Sequence, residues 1–224
     1  MQDLSFSFPT PHFQLGGFEF SVLIYTFRNV YAPDEAQMTV EQPGDTLWAG
    51  GKGLRWAGGQ MEMPGRFEVR ACICSHGIRV KTTAEIQNPG EDIRCIKVII
   101  HGIPDGKLVN LINAQPREIP QEGLNLKYPD GWRDVGTPLV VMQTPENEMF
   151  YFRSLDEKVR DKRFVFVRTG DKLNAELIFE EAAVSMTNRI DAPEWEIGWG
   201  KNLAEIYEPH RLHCLLYTSP SPRD

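Results

Sequence analysis

The sequence predicts an all-β protein, a large antiparallel β-sandwich with a short C-terminal helix. Segments rich in β-branched and aromatic residues recur at intervals of roughly 8–12 residues. Turn-forming Gly, Pro, Asn and Asp residues separate these segments. Long amphipathic helices do not alternate with them, so a parallel α/β sheet is not expected. A chain of 224 residues is long enough for one large all-β domain or two small ones.

The strands are predicted from runs of apolar and β-branched residues. They lie at 18–27, 37–42, 92–103, 137–144, 148–155, 162–169 and 172–181, and residues 65–88 hold two more. Turn residues predict hairpins at Ser75-His76-Gly77, Pro145-Glu146-Asn147 and Thr169-Gly170-Asp171-Lys172.

A glycine-rich segment, LWAGGKGLRWAGGQMEMPG (47–65), repeats Trp-Ala-Gly-Gly. It lacks the Gly-Lys-Ser/Thr ending and the strand-to-helix context of a phosphate-binding loop. Glycine in strand-rich regions usually marks bends and bulges. We therefore expect a glycine-hinged turn between two strands, with Trp48 and Trp56 packing on the sandwich.

The end of the chain predicts a helix followed by foreign sequence. Asn202 is a suitable N-cap and Glu205 completes a partial capping box, whereas Pro209 is expected to disturb the helix. Residues 214–224 resemble the translation of a sequencing-library adapter, whose codons specify CLLYTSPSPRD in that order. The sequence thus predicts a β-sandwich domain at 1–200 and a linker helix at 201–213 that leads towards a missing domain and is truncated at the fragment end. Residues 214–224 are expected to be an adapter-derived artefact.

Charge and cysteine content narrow the expected partners. The net charge of −7 argues against nucleic acid and against an anionic membrane surface. The N-terminus lacks the features of a signal peptide, and no apolar run reaches the ~18 residues of a membrane span. Cys72 and Cys74 form a Cys-x-Cys pair, which alone is weak evidence for a metal site, so we expect reduced thiols and no metal. A cytoplasmic location and no cofactor are also expected.

The candidate carbohydrate-binding residues are Tyr128, Trp132, Arg133 and Asp134. An exposed aromatic ring covers the apolar C–H groups of a sugar, while polar neighbours reach its hydroxyl groups. The alternative is that Trp132 closes one end of the sandwich, since tryptophan is highly buried on average.

The sequence gives weaker evidence for a catalytic site than for a carbohydrate-binding site. Asp156 and Asp161 form a possible carboxylate pair for glycosidic chemistry, but mixed charge in a connecting segment is most often a solvated turn with weak ion pairs. A sugar epimerase needs a histidine acid and a carboxylate base in one cleft, and His76 or His101 could supply the histidine. A hydrogen-bonded structural histidine is the alternative at both positions. No catalytic residue is assigned.

Two stretches carry a family resemblance. AEIQNPGEDIRCIKVIIHGIPDG (84–106) resembles a strand–turn–strand unit of galactose-mutarotase-like β-supersandwich domains. YPDGWRDVGTPLVVMQTPENEMFYFRSLDEKVRDKRF, which starts at Tyr128, resembles the later part of such domains in glycoside hydrolases. The resemblance implies the non-catalytic N-terminal sandwich of a glycoside hydrolase whose catalytic (β/α)₈ barrel is missing. The alternatives are a separate carbohydrate-binding or structural module, or a sugar epimerase, and in each carbohydrate is the expected partner.

Overall fold

The computed structural model describes residues 10–56, 59, 61–112, 115–130, 134–180 and 187–218, with side chains described as far as Cys214. Its strands are β1 Phe13–Leu15, β2 Phe18–Thr26, β3 Val30–Pro33, β4 Met38–Glu41, β5 Thr46–Trp56, β6 Glu62–Cys74, β7 Gly77–Ile86, β8 Ile93–Ile103, β9 Lys107–Leu108, β10 Arg117–Glu118, β11 Leu124–Tyr128, β12 Leu139–Gln143, β13 Met149–Ser154, β14 Lys162–Thr169, β15 Lys172–Glu180, β16 Arg189–Asp191 and β17 Trp195–Gly200. A short 3₁₀ helix spans Glu35–Gln37, and the helix α1 spans Leu203–Thr218.

The strands form the predicted antiparallel β-sandwich. The front sheet has the order β4-β5-β6-β7-β17-β13-β12-β9-β10, and β16 extends the pairing of β7. The back sheet has the order β2-β8-β15-β14-β11, with β1 and β3 along the free side of β2. β3 also pairs with β5, so backbone hydrogen bonds join the two sheets at one edge.

The core lies between the two sheets because alternate residues of each strand point inwards. In β6, for example, Phe67, Val69 and Ala71 are buried while the residues between them face away from the core. Phe152 of the front sheet meets Phe166 of the back sheet edge to face, with 5.6 Å between ring centroids. Such aromatic pairs contribute about 0.5–1.5 kcal/mol beyond the area that they bury.

The glycine-rich segment is a strand, which corrects the prediction of a hinged turn. β5 runs from Thr46 to Trp56 and pairs with β6 along most of its length. The register shifts between Lys52 and Leu54, where Gly53 has a φ of +96°. The pairing thus becomes irregular beside Gly53 without ending the strand. Trp56 packs against the core as predicted, whereas Trp48 lies on the outer face of the front sheet.

Helix α1 begins where the sequence predicts. The side chain of Asn202 accepts a hydrogen bond from the backbone N–H of Glu205 at 3.0 Å, and Glu205 accepts one from the N–H of Lys201 at 2.9 Å. The helix continues through Pro209 and past His213. Ile206 packs it onto Leu139, Val141 and Tyr151 on the outer face of the front sheet. The predicted domain boundaries at 200 and 213 stay predictions.

The four cysteines are all free thiols. Cys72, Cys74, Cys95 and Cys214 are free, and of these Cys95 is buried while the others are half-buried. In the part of the chain that the structure describes, no cluster of three or more His, Cys, Asp or Glu side chains could hold a metal ion. No helix in the same ranges is long and apolar enough to cross a membrane.

Candidate functional site

The predicted carbohydrate-binding residues lie around the end of β11. Tyr128 is 8% exposed, and the Lys162 ammonium lies 5.3 Å from the centre of its ring. Asp134 is half-buried and its Oδ2 accepts a hydrogen bond from the N–H of Lys127 at 3.3 Å. Trp132 and Arg133 lie outside the described residues. A sugar platform at this loop therefore stays a prediction, with Tyr128 placed beneath the surface.

The carboxylate of Asp156 is occupied by two cations. Its side chain is 2% exposed and lies 2.7 Å from Nζ of the fully buried Lys162, and Arg160 contacts both carboxylate oxygens at 2.8–2.9 Å. Burial alone would raise the pKa of Asp156, but hydrogen bonds from Arg160 and Lys162 lower it below its usual value. This carboxylate is thus engaged in structural ion pairs, and only Asp161 of the predicted pair is left for other contacts.

A cleft lies at one end of the back sheet. The β1–β2 hairpin, the end of β8 and the start of β15 enclose a volume of about 640 Å³. We call it the hairpin cleft; its lining residues include Gln14, Phe18, Glu19, Gln42, His101, Asp105, Arg168, Asp171 and Lys172. Ligand pockets in proteins usually measure about 300–1,000 Å³. The hairpin cleft is large enough for a small organic ligand.

Strand register brings Glu19 and His101 together in the hairpin cleft. The two residues are direct partners in the antiparallel pairing of β2 with β8. Their neighbours Phe20 and Ile100 point into the core, so Glu19 and His101 face outwards on the same side. Directly opposed residues of an antiparallel pair have Cβ atoms about 4.5–5.5 Å apart.

Two further side chains orient this pair. The Nε2 atom of His101 lies 2.9 Å from Oγ of Ser21, and the His12 ring stacks on His101 with 4.5 Å between centroids. Nδ1 of His12 lies 2.5 Å from Oε1 of Glu19. Burial and the neighbouring His12 lower the pKa of His101, while the hydrogen bond with His12 lowers the pKa of Glu19. At neutral pH the cleft therefore presents a neutral imidazole beside an ionised carboxylate.

Other lining residues of the hairpin cleft carry charges of both signs. Arg168 contacts Asp105 through two N···O distances of 2.8 and 3.1 Å. Lys172 and Asp171 stand at the turn between β14 and β15. Hydrogen-bond donors and acceptors thus line the cleft, and its positive and negative side chains nearly cancel in charge. Such a lining suits a ligand that offers several hydroxyl groups.

His76 does not share this environment. It lies at the tight turn between β6 and β7, and its Nδ1 atom is 3.9 Å from Oε1 of Glu205 at the start of α1. The side chain is 43% exposed. His76 is thus placed at the junction of a turn and a helix, whereas His101 lies within a cleft.

A second polar cluster is buried beneath helix α1. Glu196 is 3% exposed and accepts hydrogen bonds from Tyr151 at 2.8 Å, from Arg79 at 2.7 Å and from Arg153. Burial alone would raise the pKa of Glu196, but the Arg153 charge and the hydrogen bond from Arg79 lower it. The partners of the carboxylate lie on β7 and β13, so this cluster joins three strands of the front sheet.

Sequence analysis missed Glu19, Ser21 and Lys172. Each is a single polar residue in or beside a strand and belongs to no recognisable sequence motif. Their only signal in the sequence is alternation: Glu19 and Ser21 occupy outward positions of β2. Their meeting with His101 depends on the register between strands that are about 80 residues apart.

Comparison with known proteins finds distant structural similarity and no sequence match. No protein-family model and no curated protein matches the chain. Among solved structures, the 4-alpha-glucanotransferase from Thermococcus litoralis matches with a TM-score of 0.39 and 8% sequence identity. The match covers 74% of this chain and 22% of the glucanotransferase chain. This chain thus spans about one fifth of that enzyme's length.

Proposed function

We propose that the chain is a carbohydrate-binding β-sandwich module and that the hairpin cleft is its binding site. The observation that carries the proposal is the pairing of Glu19 with His101 inside a cleft of about 640 Å³ that is lined by further donors and acceptors. A carboxylate accepts hydrogen bonds from sugar hydroxyl groups, and imidazole and guanidinium groups donate to them. The resemblance to galactose-mutarotase-like domains of glycoside hydrolases supports the same ligand class. We assign the catalytic groups of such a hydrolase to a different domain.

Binding is favoured over catalysis by the protonation states in the cleft. General acid–base catalysis is most effective when the pKa of the acid lies near the working pH. The pKa of His101 is lowered, mainly by burial, which disfavours the imidazolium form that an acid step needs. Glu19 is ionised at neutral pH, since its pKa is also lowered. Both groups are suited to hold hydroxyl groups in place.

The binding test is calorimetric titration of the module with a panel of neutral oligosaccharides. We expect at least one to bind, and Glu19→Gln and His101→Ala each to weaken its affinity at least tenfold, which corresponds to about 1.4 kcal/mol. Glu62→Gln is the matched control, since Glu62 pairs with Arg55 at a site far along the front sheet. Unchanged affinity in both cleft variants would remove the hairpin cleft from the proposal.

A sugar epimerase is the second candidate, because a histidine and a carboxylate share this cleft. The test is the rate at which purified module interconverts the anomers of glucose and galactose, followed by polarimetry from pH 5 to 9. An epimerase should give an enzyme-like rate that His101→Asn and Glu19→Gln abolish. A binding module should leave the spontaneous rate unchanged at every pH.

A further inference from the structure

Within the described ranges, the outer face of the front sheet is only partly covered. Helix α1 packs over β12 and β13 through Ile206. At the other end of the sheet, β5, β6, β7 and β16 enclose a shallow pocket of about 220 Å³. Trp48, Arg66, Glu68, Thr83, Glu85 and Arg189 contribute to its lining. We call this feature the Trp48 pocket.

The indole of Trp48 lies flat on its own strand because Gly50 has no side chain. A Cβ atom added to Gly50 would lie 2.6 Å from Cζ2 of the indole and within 3.2 Å of two further ring atoms. The flanking residues Leu47 and Ala49 point into the core. The apolar ring is therefore held on the outer face, where it adds to the wall of the Trp48 pocket and is half-buried.

Unused hydrogen-bonding groups stand beside this ring. Glu85 is the direct register partner of both Arg66 and Arg189. Yet among the described residues, the side chains of these three make no hydrogen bond or ion pair with another side chain within 4 Å. The neighbouring Glu68, by contrast, pairs with Arg70. Two guanidinium groups and a carboxylate are thus available to an outside ligand.

We infer that the Trp48 pocket is a second carbohydrate site, sized for a single pyranose ring and separate from the hairpin cleft. The axial C–H groups of a pyranose form an apolar face that matches an indole ring, and its equatorial hydroxyl groups project towards the rim. Glu85 accepts hydrogen bonds from these hydroxyl groups, and Arg66 and Arg189 donate to them. The site goes beyond the proposed function, because residues of the other sheet form it.

The inference is tested by NMR and calorimetric titration of the whole chain with maltotriose, cellotriose, xylotriose and mannotriose. At least one trisaccharide should shift the indole N–H resonance of Trp48, assigned by its absence in Trp48→Phe. Trp48→Ala should weaken that binding at least tenfold, and Glu85→Gln should weaken it to a smaller extent. Gly50→Ala keeps the tryptophan but displaces its ring, so it should also weaken binding at least tenfold.

Controls separate this site from the hairpin cleft. Glu19→Gln and His101→Ala should leave the sugar-induced shift of the Trp48 resonance unchanged. Conversely, Trp48→Ala should leave any sugar-induced shift of the His101 resonances unchanged. Circular dichroism and thermal melting identify variants that fail to fold. The inference is overturned if none of the four sugars shifts the Trp48 resonance, if folded Trp48→Ala and Gly50→Ala retain full affinity, or if adenosine monophosphate produces the shift and the sugars do not.

Discussion

Replacing Glu196 with glutamine should destabilise the sandwich strongly. The carboxylate lies between Arg153 and Arg79, and the side chains of Glu196 and Arg153 are 4% and 5% exposed. Glutamine keeps the shape but removes the charge, and its NH₂ group must face a donor. The Arg153 cation is then left buried and unpaired.

The expected size of the effect follows from the burial of this ion pair. Breaking a buried pair by removing one partner usually costs about 3–5 kcal/mol, since the remaining charge is uncompensated. For a domain of this size that corresponds to a fall in melting temperature of roughly 6–20 °C. The assay is urea unfolding at pH 7, followed by circular dichroism and tryptophan fluorescence.

The matched control removes an exposed ion pair of similar length. Lys107 and Glu118 lie 3.2 Å apart and are 57% and 78% exposed, so Lys107→Gln should change stability by less than about 1 kcal/mol. A loss below 1 kcal/mol for Glu196→Gln would refute the reasoning, because it would mean that the buried cluster contributes no more than a surface pair.

The pH dependence of stability has a defined sign at this cluster. The pKa of Glu196 is lowered in the folded state, so its contribution to stability is present above the unfolded pKa of about 4.3 and is lost as pH falls through the folded value. Glu196→Gln should abolish this part of the acid sensitivity. Unfolding midpoints compared at pH 7 and at pH 3.5 measure it.

Three further predictions concern other parts of the fold. Burial lowers the pKa of His210 to about 4, so stability should fall as pH drops from about 6.5 to 4, and His210→Gln should reduce that loss in urea titrations. Gly77→Ala places a Cβ atom within 2 Å of the carbonyl of Ile197 and should destabilise by more than about 1 kcal/mol, whereas Gly136→Ala meets only ordinary contacts and should be nearly neutral in the same unfolding assay. Burial raises the pKa of Cys95 to about 11, so mass spectrometry should show iodoacetamide labelling of Cys95 only after unfolding.

The strands of the sandwich were largely predictable because they combine apolar alternation with clear turn residues. The Gly170-Asp171 turn is an example: the structure pairs Thr169 with Lys172 across it. β5 was missed because its glycines are typical of a bend. They are accommodated instead because the β6 and β4 backbones pair with it on both sides.

The hairpin cleft was predictable only in part. The sequence offers His101, together with His76, as a candidate for the histidine of a sugar epimerase. Its partner Glu19 depends on the register of β2 against β8, which the side-chain packing of the whole back sheet determines. The same limit applies to Trp48, whose outward position follows once β5 is known to be a strand.

The central claim is that the hairpin cleft binds carbohydrate through Glu19 and His101. Its most direct test is the affinity of the wild-type chain, Glu19→Gln and His101→Ala for the best oligosaccharide of the panel, measured by calorimetry at pH 7. The account predicts saturable binding by the wild-type chain and at least a tenfold loss in each folded variant. Absence of binding to every sugar, or equal affinity in all three proteins, would contradict it.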